Sequence, residues 1–169
     1  MKLASFKHDG QATYGVVQAD RYLQPPADFL HRYPDLAAVL RANAQRELEQ
    51  AAASSGLSVQ AAATQALPVL PTPQKFICVG LNYKTHVAET KRDDSAYPAL
   101  FVRFADSLAA NGDVVRRPSF SERFDWEGEL AVVIGKGGRE ISQAQAFDHV
   151  AGYACFNDVT VRDWQRHTH

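Results

Sequence analysis

Glu127 and Glu129 stand two residues apart in the run Asp125-Trp126-Glu127-Gly128-Glu129-Leu130-Ala131-Val132-Val133-Ile134-Gly135. In an extended chain that spacing points both carboxylates to one face. Like charges so close raise each other's pKa unless something positive lies between them, and a divalent cation is the simplest such charge. Asp158 follows a separate apolar run, 150–156, and is a third hard oxygen donor. Glu127, Glu129 and Asp158 together offer no sulfur and no imidazole. That set selects Mg²⁺ or Mn²⁺ over Zn²⁺, with Ca²⁺ as a further option. The competing reading is a strand edge whose glutamates face water. The apolar run 130–134 and the flanking Phe124 and Trp126 favour a buried pair compensated by an ion.

His86 and Glu89 form a second constellation. Three residues apart, they share one helical turn. A carboxylate beside an imidazole raises its pKa and orients the ring, so the pair can activate a water as general base. An exposed ion pair without chemistry is the competing reading.

Composition bounds what these residues can serve. The chain has 169 residues, enough for one ordinary domain or a small domain leading into part of a larger one. With 46% hydrophobic and 22% charged residues it reads as a soluble globular protein. A net charge of −1, with no basic stripe among aromatics, argues against a nucleic-acid partner. No apolar run reaches membrane-spanning length, and Met1-Lys2-Leu3-Ala4-Ser5-Phe6-Lys7-His8 lacks a signal-peptide core. Cys78 and Cys155 fit no ligand spacing. Their apolar neighbours predict buried free thiols, which suits a reducing cytoplasm.

The elements that must position the acids are legible in outline. Residues 1–24 predict two or three short strands with turns at Asp9-Gly10 and Ala19-Asp20. Leu36, Val39, Leu40, Ala44 and Leu48 predict one helix over 35–53. The alanine- and glutamine-rich stretch after it predicts no defined element. Pro68, Pro71 and Pro73 form a stiff connector, which places a boundary between residues 1–71 and 72–169. Beyond it, strands are expected at 75–79, 99–104, 113–117, 130–134 and 150–156, with helical segments over 82–90 and 142–150. The continuous run 130–134 predicts a strand buried on both faces. The fold class is α+β, mostly β.

Four ordered pieces resemble the fumarylacetoacetate hydrolase family. They are Val79-Gly80-Leu81-Asn82-Tyr83 followed by His86 and Glu89; Pro98-Ala99-Leu100-Phe101 with Arg103; the run from Asp125 to Lys136; and Gly152-Tyr153 with Asn157-Asp158-Val159-Thr160 and Arg162-Asp163. The resemblance covers about residues 72–169, and more loosely the N-terminal part. It implies a small N-terminal α+β domain followed by a mixed β-roll, and a homodimer. It implies that Glu127, Glu129 and Asp158 hold a Mg²⁺-type ion that chelates a 2-oxo or 1,3-dicarbonyl acid. His86 and Glu89 are then the water-activating pair, and Arg103 and Gln165 the substrate contacts. The implied activity is hydrolysis of a carbon–carbon bond in an acylpyruvate or 1,3-diketo acid. A hydratase, isomerase or decarboxylase of a 2-oxo acid in aromatic catabolism is the alternative, as is an inert fragment or a metal-stabilised binding module. The sequence departs from the family pattern in ending at Arg166-His167-Thr168-His169. A lysine that relatives carry beyond the metal-binding aspartate has no counterpart, so a truncated roll is expected, and whether it is active is left open.

Overall fold

The computed structural model describes residues 1–85, 87 and 97–167. Strands β1 (Leu3–His8), β2 (Gln11–Gln18) and β3 (Arg21–Leu23) form an antiparallel meander. Its first turn uses Asp9 and Gly10, both with positive φ, as a two-residue hairpin of matching twist requires. Strands β4 (Ser58–Gln60) and β5 (Gln65–Ala66) complete a five-stranded sheet of order β4-β3-β2-β1-β5. They lie in the alanine- and glutamine-rich stretch, where no element was expected. Three and two residues long, they carry too little alternation to register as strands, and pairing with β3 and β1 defines them.

Three helices cover one face: α1 (Ala27–Arg32), α2 (Leu36–Arg41) and α3 (Gln45–Ser54). The expected single helix over 35–53 is thus two. Asp35 caps α2 through a bond from the Ala38 N–H. Asn43 breaks the run with a φ of 55°, a left-handed conformation that asparagine tolerates. The predicted apolar positions nevertheless form the core. Leu36, Val39, Leu40, Ala44 and Leu48 are buried with Tyr14, Val16, Phe29 and Ala52.

Three antiparallel ribbons follow. Strand β6 (Ile77–Gly80) pairs with β7 (Ala99–Val102), β8 (Phe124–Asp125) with β11 (Thr160–Val161), and β9 (Gly128–Ile134) with β10 (Val150–Asn157). The β9–β10 ribbon leans on the first core, where Val133 and Ala151 pack against the buried helical residues. A Cβ on Gly135 would meet Ala151 Cβ at 2.7 Å and the Leu40 carbonyl oxygen at 3.4 Å, so the approach is close.

Three expectations change here. Strand β9 is not buried on both faces: Glu129, Ala131 and Val133 are half-buried, while Leu130 and Ile134 are 60% and 63% exposed. Its inner face has the helical core to lean on, and its outer face has no covering layer among the described residues. Residues 113–117 form no strand, because no described strand offers them a ladder. The segment 142–150 is a 3₁₀ stretch, Gln143–His149, with Phe147 exposed, so it lacks the buried stripe that would sustain an α-helix.

Candidate functional site

The β9–β10 ladder explains why distant acids meet. The strands are antiparallel, with Glu129 opposite Phe156 and Gly128 opposite Asn157. Glu127 therefore enters β9 at the end where Asp158 leaves β10. Two bonds fix that end: Asp158 N–H donates to the Glu127 carbonyl at 2.9 Å, and Glu127 N–H donates to Asn157 Oδ1 at 3.0 Å.

Asp158 is buried, at 2% exposure. Arg103, just past the end of β7, lays Nη2 against Asp158 Oδ1. The same nitrogen donates to the Val159 carbonyl at 3.2 Å and to Thr160 Oγ1 at 3.3 Å. The Arg103–Asp158 contact is an ion pair without good hydrogen-bond direction. Asp158 Oδ1 and Arg103 Nε are both buried with no hydrogen-bond partner among the described residues.

Arg162 holds the other side. Its Nε donates to Asp125 Oδ2 at 2.9 Å, and its Nη2 lies 3.0 Å from Glu127 Oε2. Its Nη1 reaches Gln165 Oε1 at 3.5 Å, so among the described residues Gln165 joins the cluster through Arg162. Asp163, next along, takes the Ser121 hydroxyl at 2.8 Å, which holds its carboxyl below the usual range.

Among the described residues no guanidinium pairs with Glu129, and its carboxyl is pushed up: burial first, then the charges of Asp158 and Glu127, with Arg103 opposing. Cys78, on β6, is buried beside the same group. Burial and then the Asp158 charge push its thiol up to about 11. Cys155, expected to be buried as well, is exposed, because it sits on the outward side of β10.

The expected ligands Glu127, Glu129 and Asp158 thus gather at one ribbon end, where Glu129 feels the charges of the other two. As placed, no group of three His, Cys, Asp or Glu among the described residues can hold one ion. Two guanidinium groups take up Asp158 and Glu127 instead. In chemistry, the set still fits a hard divalent cation: it is all oxygen, its like charges are incompletely balanced at Glu129, and the buried Asp158 Oδ1 lacks a donor. Arg103, expected to contact substrate, faces Asp158. His86 and Glu89 lie outside the described residues.

Arg162, Asp125 and Tyr83 were not singled out as site residues from the sequence. Arg162 carried a signal: it lies one helical-type step past Asp158 and pairs back across β8–β11, where Thr160 stands opposite Asp125. Tyr83 had none, since its hydroxyl meets the backbone of a strand far along the chain.

A cavity of about 480 Å³ opens beside Arg103 and Asp158. Asn157 and Cys155 line one side and the small residues Ala109, Ala110 and Gly112 the other.

Comparison with known proteins gives the same direction. The family model described as fumarylacetoacetate (FAA) hydrolase C-terminal matches residues 75–169. A Xenopus laevis protein named oxaloacetate tautomerase fahd2, mitochondrial, is 43% identical over 99 residues, 59% of this chain and 31% of that one. The Homo sapiens oxaloacetate tautomerase FAHD2A, mitochondrial, is 42% identical over 129 residues, 70% of this chain and 41% of that one. Among solved structures, a fumarylacetoacetate hydrolase from Exiguobacterium antarcticum superposes with a TM-score of 0.78 at 28% identity, over 99% of this chain and 58% of that one. A maleylpyruvate hydrolase from Sphingobium sp. SYK-6, solved with manganese(II) and pyruvate, shares the fold with a TM-score of 0.76 at 24% identity, over 96% of this chain and 60% of that one. The chain therefore spans less than half of these named relatives and about three fifths of these solved chains. The match over more than half of its residues shows that this chain belongs to the fumarylacetoacetate hydrolase family.

Proposed function

We propose that this chain carries the acidic half of a site for an enolisable 2-oxo or 1,3-dicarbonyl acid. Its primary reaction is proton transfer at the carbon next to the carbonyl, a tautomerase or isomerase activity. The observation that carries the reading is the gathering of Glu127, Glu129 and buried Asp158 at one end of β9–β10. Relatives at 41% to 43% identity are named oxaloacetate tautomerases, which favours proton transfer. The manganese and pyruvate of the maleylpyruvate hydrolase structure support a divalent ion and a 2-oxo acid.

Glu127, Glu129 and Asp158 would hold Mg²⁺ or Mn²⁺. When bound, the ion supplies Lewis-acid polarisation of the 2-oxo group. The chain's own residues do the rest. Arg162 restrains the Glu127 carboxylate through Oε2. An imidazole nitrogen of His86, oriented by Glu89, takes and returns the proton. Arg103 and Gln165 receive the substrate carboxylate, Arg103 through its planar fork. Residues 1–71 form the supporting N-terminal unit and 72–169 the catalytic one, and the working protein is a homodimer. Unpaired Cys78 and Cys155 suit a reducing compartment, the cytoplasm on our reading, although the named relatives are mitochondrial.

Hydrolysis of a carbon–carbon bond is the second reading. The likeness to a fumarylacetoacetate hydrolase at 28% identity favours it, and the same His86–Glu89 pair would then deprotonate water. Product analysis separates the two. With Mg²⁺, oxaloacetate enol should decay faster to a single product, and chelator should abolish the effect. Two fragments from an acylpyruvate would select hydrolysis. No metal-dependent turnover of either acid would overturn both.

A further inference from the structure

We propose that Arg103 is a built-in counter-ion for Asp158, which must release that carboxylate before a divalent cation can use it, and so sets the affinity of the site for metal. The inference rests on the reading that Asp158 is a metal ligand.

Asp158 is too deeply buried to stay unpaired, since an uncompensated interior charge is strongly unfavourable. Arg103 answers that need. Its Nη2 lies against Oδ1, the same oxygen that has no hydrogen-bond donor. A guanidinium and a divalent cation cannot both sit on Oδ1, because like charges a few ångströms apart repel.

The pair is also built to be exchangeable. The contact lacks hydrogen-bond direction, Arg103 Nε is buried with no acceptor among the described residues, and beyond Asp158 the group is held through Nη2 by the Val159 carbonyl and Thr160 Oγ1 at 3.2 and 3.3 Å. An arginine left partly unsatisfied loses less on leaving than one held by a full bidentate fork. In this paired position Arg103 Cζ also lies 5.9 Å from the centre of the Phe101 ring, within cation–π range. The cavity beside Arg103 and Asp158 gives the guanidinium a way out of the pair. Once released, Arg103 is positioned to meet an anionic ligand at the site. Arg162 differs in this respect, since its Nε donates to Asp125 Oδ2 in a well-directed bond of 2.9 Å.

The test is Mn²⁺ binding, followed by the paramagnetic resonance signal of the free ion, on the wild-type chain, Arg103→Gln and Arg103→Lys. Because a competing internal state reduces apparent affinity by the fraction it occupies, Arg103→Gln should bind Mn²⁺ about tenfold more tightly, and Arg103→Lys should stay near wild type. Equal or weaker binding by Arg103→Gln, while the wild type binds, overturns this inference and leaves the metal site standing. Absence of binding in all three overturns the metal site itself, and the inference with it. A measurement on the wild type alone guards against a variant that fails to fold. Phenylglyoxal labelling of Arg103, located by mass spectrometry, should rise several-fold when Mg²⁺ is added. Labelling that is unchanged or falls overturns the inference.

Discussion

The Leu130 N–H donates to the phenolic oxygen of Tyr83 at 2.9 Å. This bond ties the segment just before His86 to the strand that carries Glu129. A strand N–H pointing away from β10 would otherwise have only solvent. Tyr83 therefore pins the segment after β6 to the strand that carries one of the proposed ion-binding acids.

Tyr83→Phe keeps the ring and removes the acceptor. It should cost about 0.5–1.5 kcal/mol in chemical denaturation, the usual net worth of one hydrogen bond. Amide exchange at Leu130 should quicken by comparison with the paired residues of β10. Unchanged exchange at Leu130 would show that the bond does not persist in solution.

Glu129 leads to a prediction on pH. Its carboxyl is raised by burial and by Asp158 and Glu127, so the folded chain holds its proton more tightly than the unfolded chain does. The resulting stabilisation is fully present below the ordinary glutamate pKa and is lost as pH rises through the raised value. Without metal, Glu129→Gln should then be more thermostable than wild type near pH 7, and the difference should vanish towards about pH 4. Thermal unfolding in chelator at both pH values checks this. A variant less stable near neutrality would contradict it.

The two thiols should separate cleanly. Cys155 is exposed, whereas Cys78 is buried with its thiol pushed up to about 11. Ellman's reagent near neutral pH should titrate a single thiol in the native chain, identified as Cys155 by mass spectrometry. Cys78 should react only after unfolding, because the thiolate is the nucleophile.

Gly135 tests the contact between the ribbon and the helical core. A methyl there meets Ala151 Cβ at 2.7 Å with the Leu40 carbonyl behind it. Gly135→Ala should destabilise the chain by about 1–3 kcal/mol, the range for overpacking. Leu48→Ala, which opens a cavity in the core itself, should cost about 2–5 kcal/mol. Denaturant midpoints of the two variants provide the comparison.

How much of this was legible in the sequence depended on the range of the interaction. Asp9-Gly10 and the apolar positions from Leu36 to Leu48 are local signals, and the structure keeps both. Asn43 is where local reading stops: periodicity continued through it, but its backbone turned. The run 130–134 announced a strand yet not its exposure, since one face depends on what packs against it. Glu127, Glu129 and Asp158 could be grouped because an antiparallel ladder brings the start of one strand to the end of the next. The guanidinium groups against Asp158 and Glu127 could not, as no periodicity predicts which distant arginine answers a buried acid. Cys155 was misjudged for a related reason. Its apolar neighbours alternate across the ribbon, and it falls on the open side.

The central claim is that Glu127, Glu129 and Asp158 act together as one cation site. Counting bound Mn²⁺ by equilibrium dialysis, for the wild-type chain and for Asp158→Asn, tests it most directly. The expected result is one ion per wild-type chain and none retained by Asp158→Asn at the same free concentration. Equal occupancy in the two chains, or none in the wild type, would contradict it.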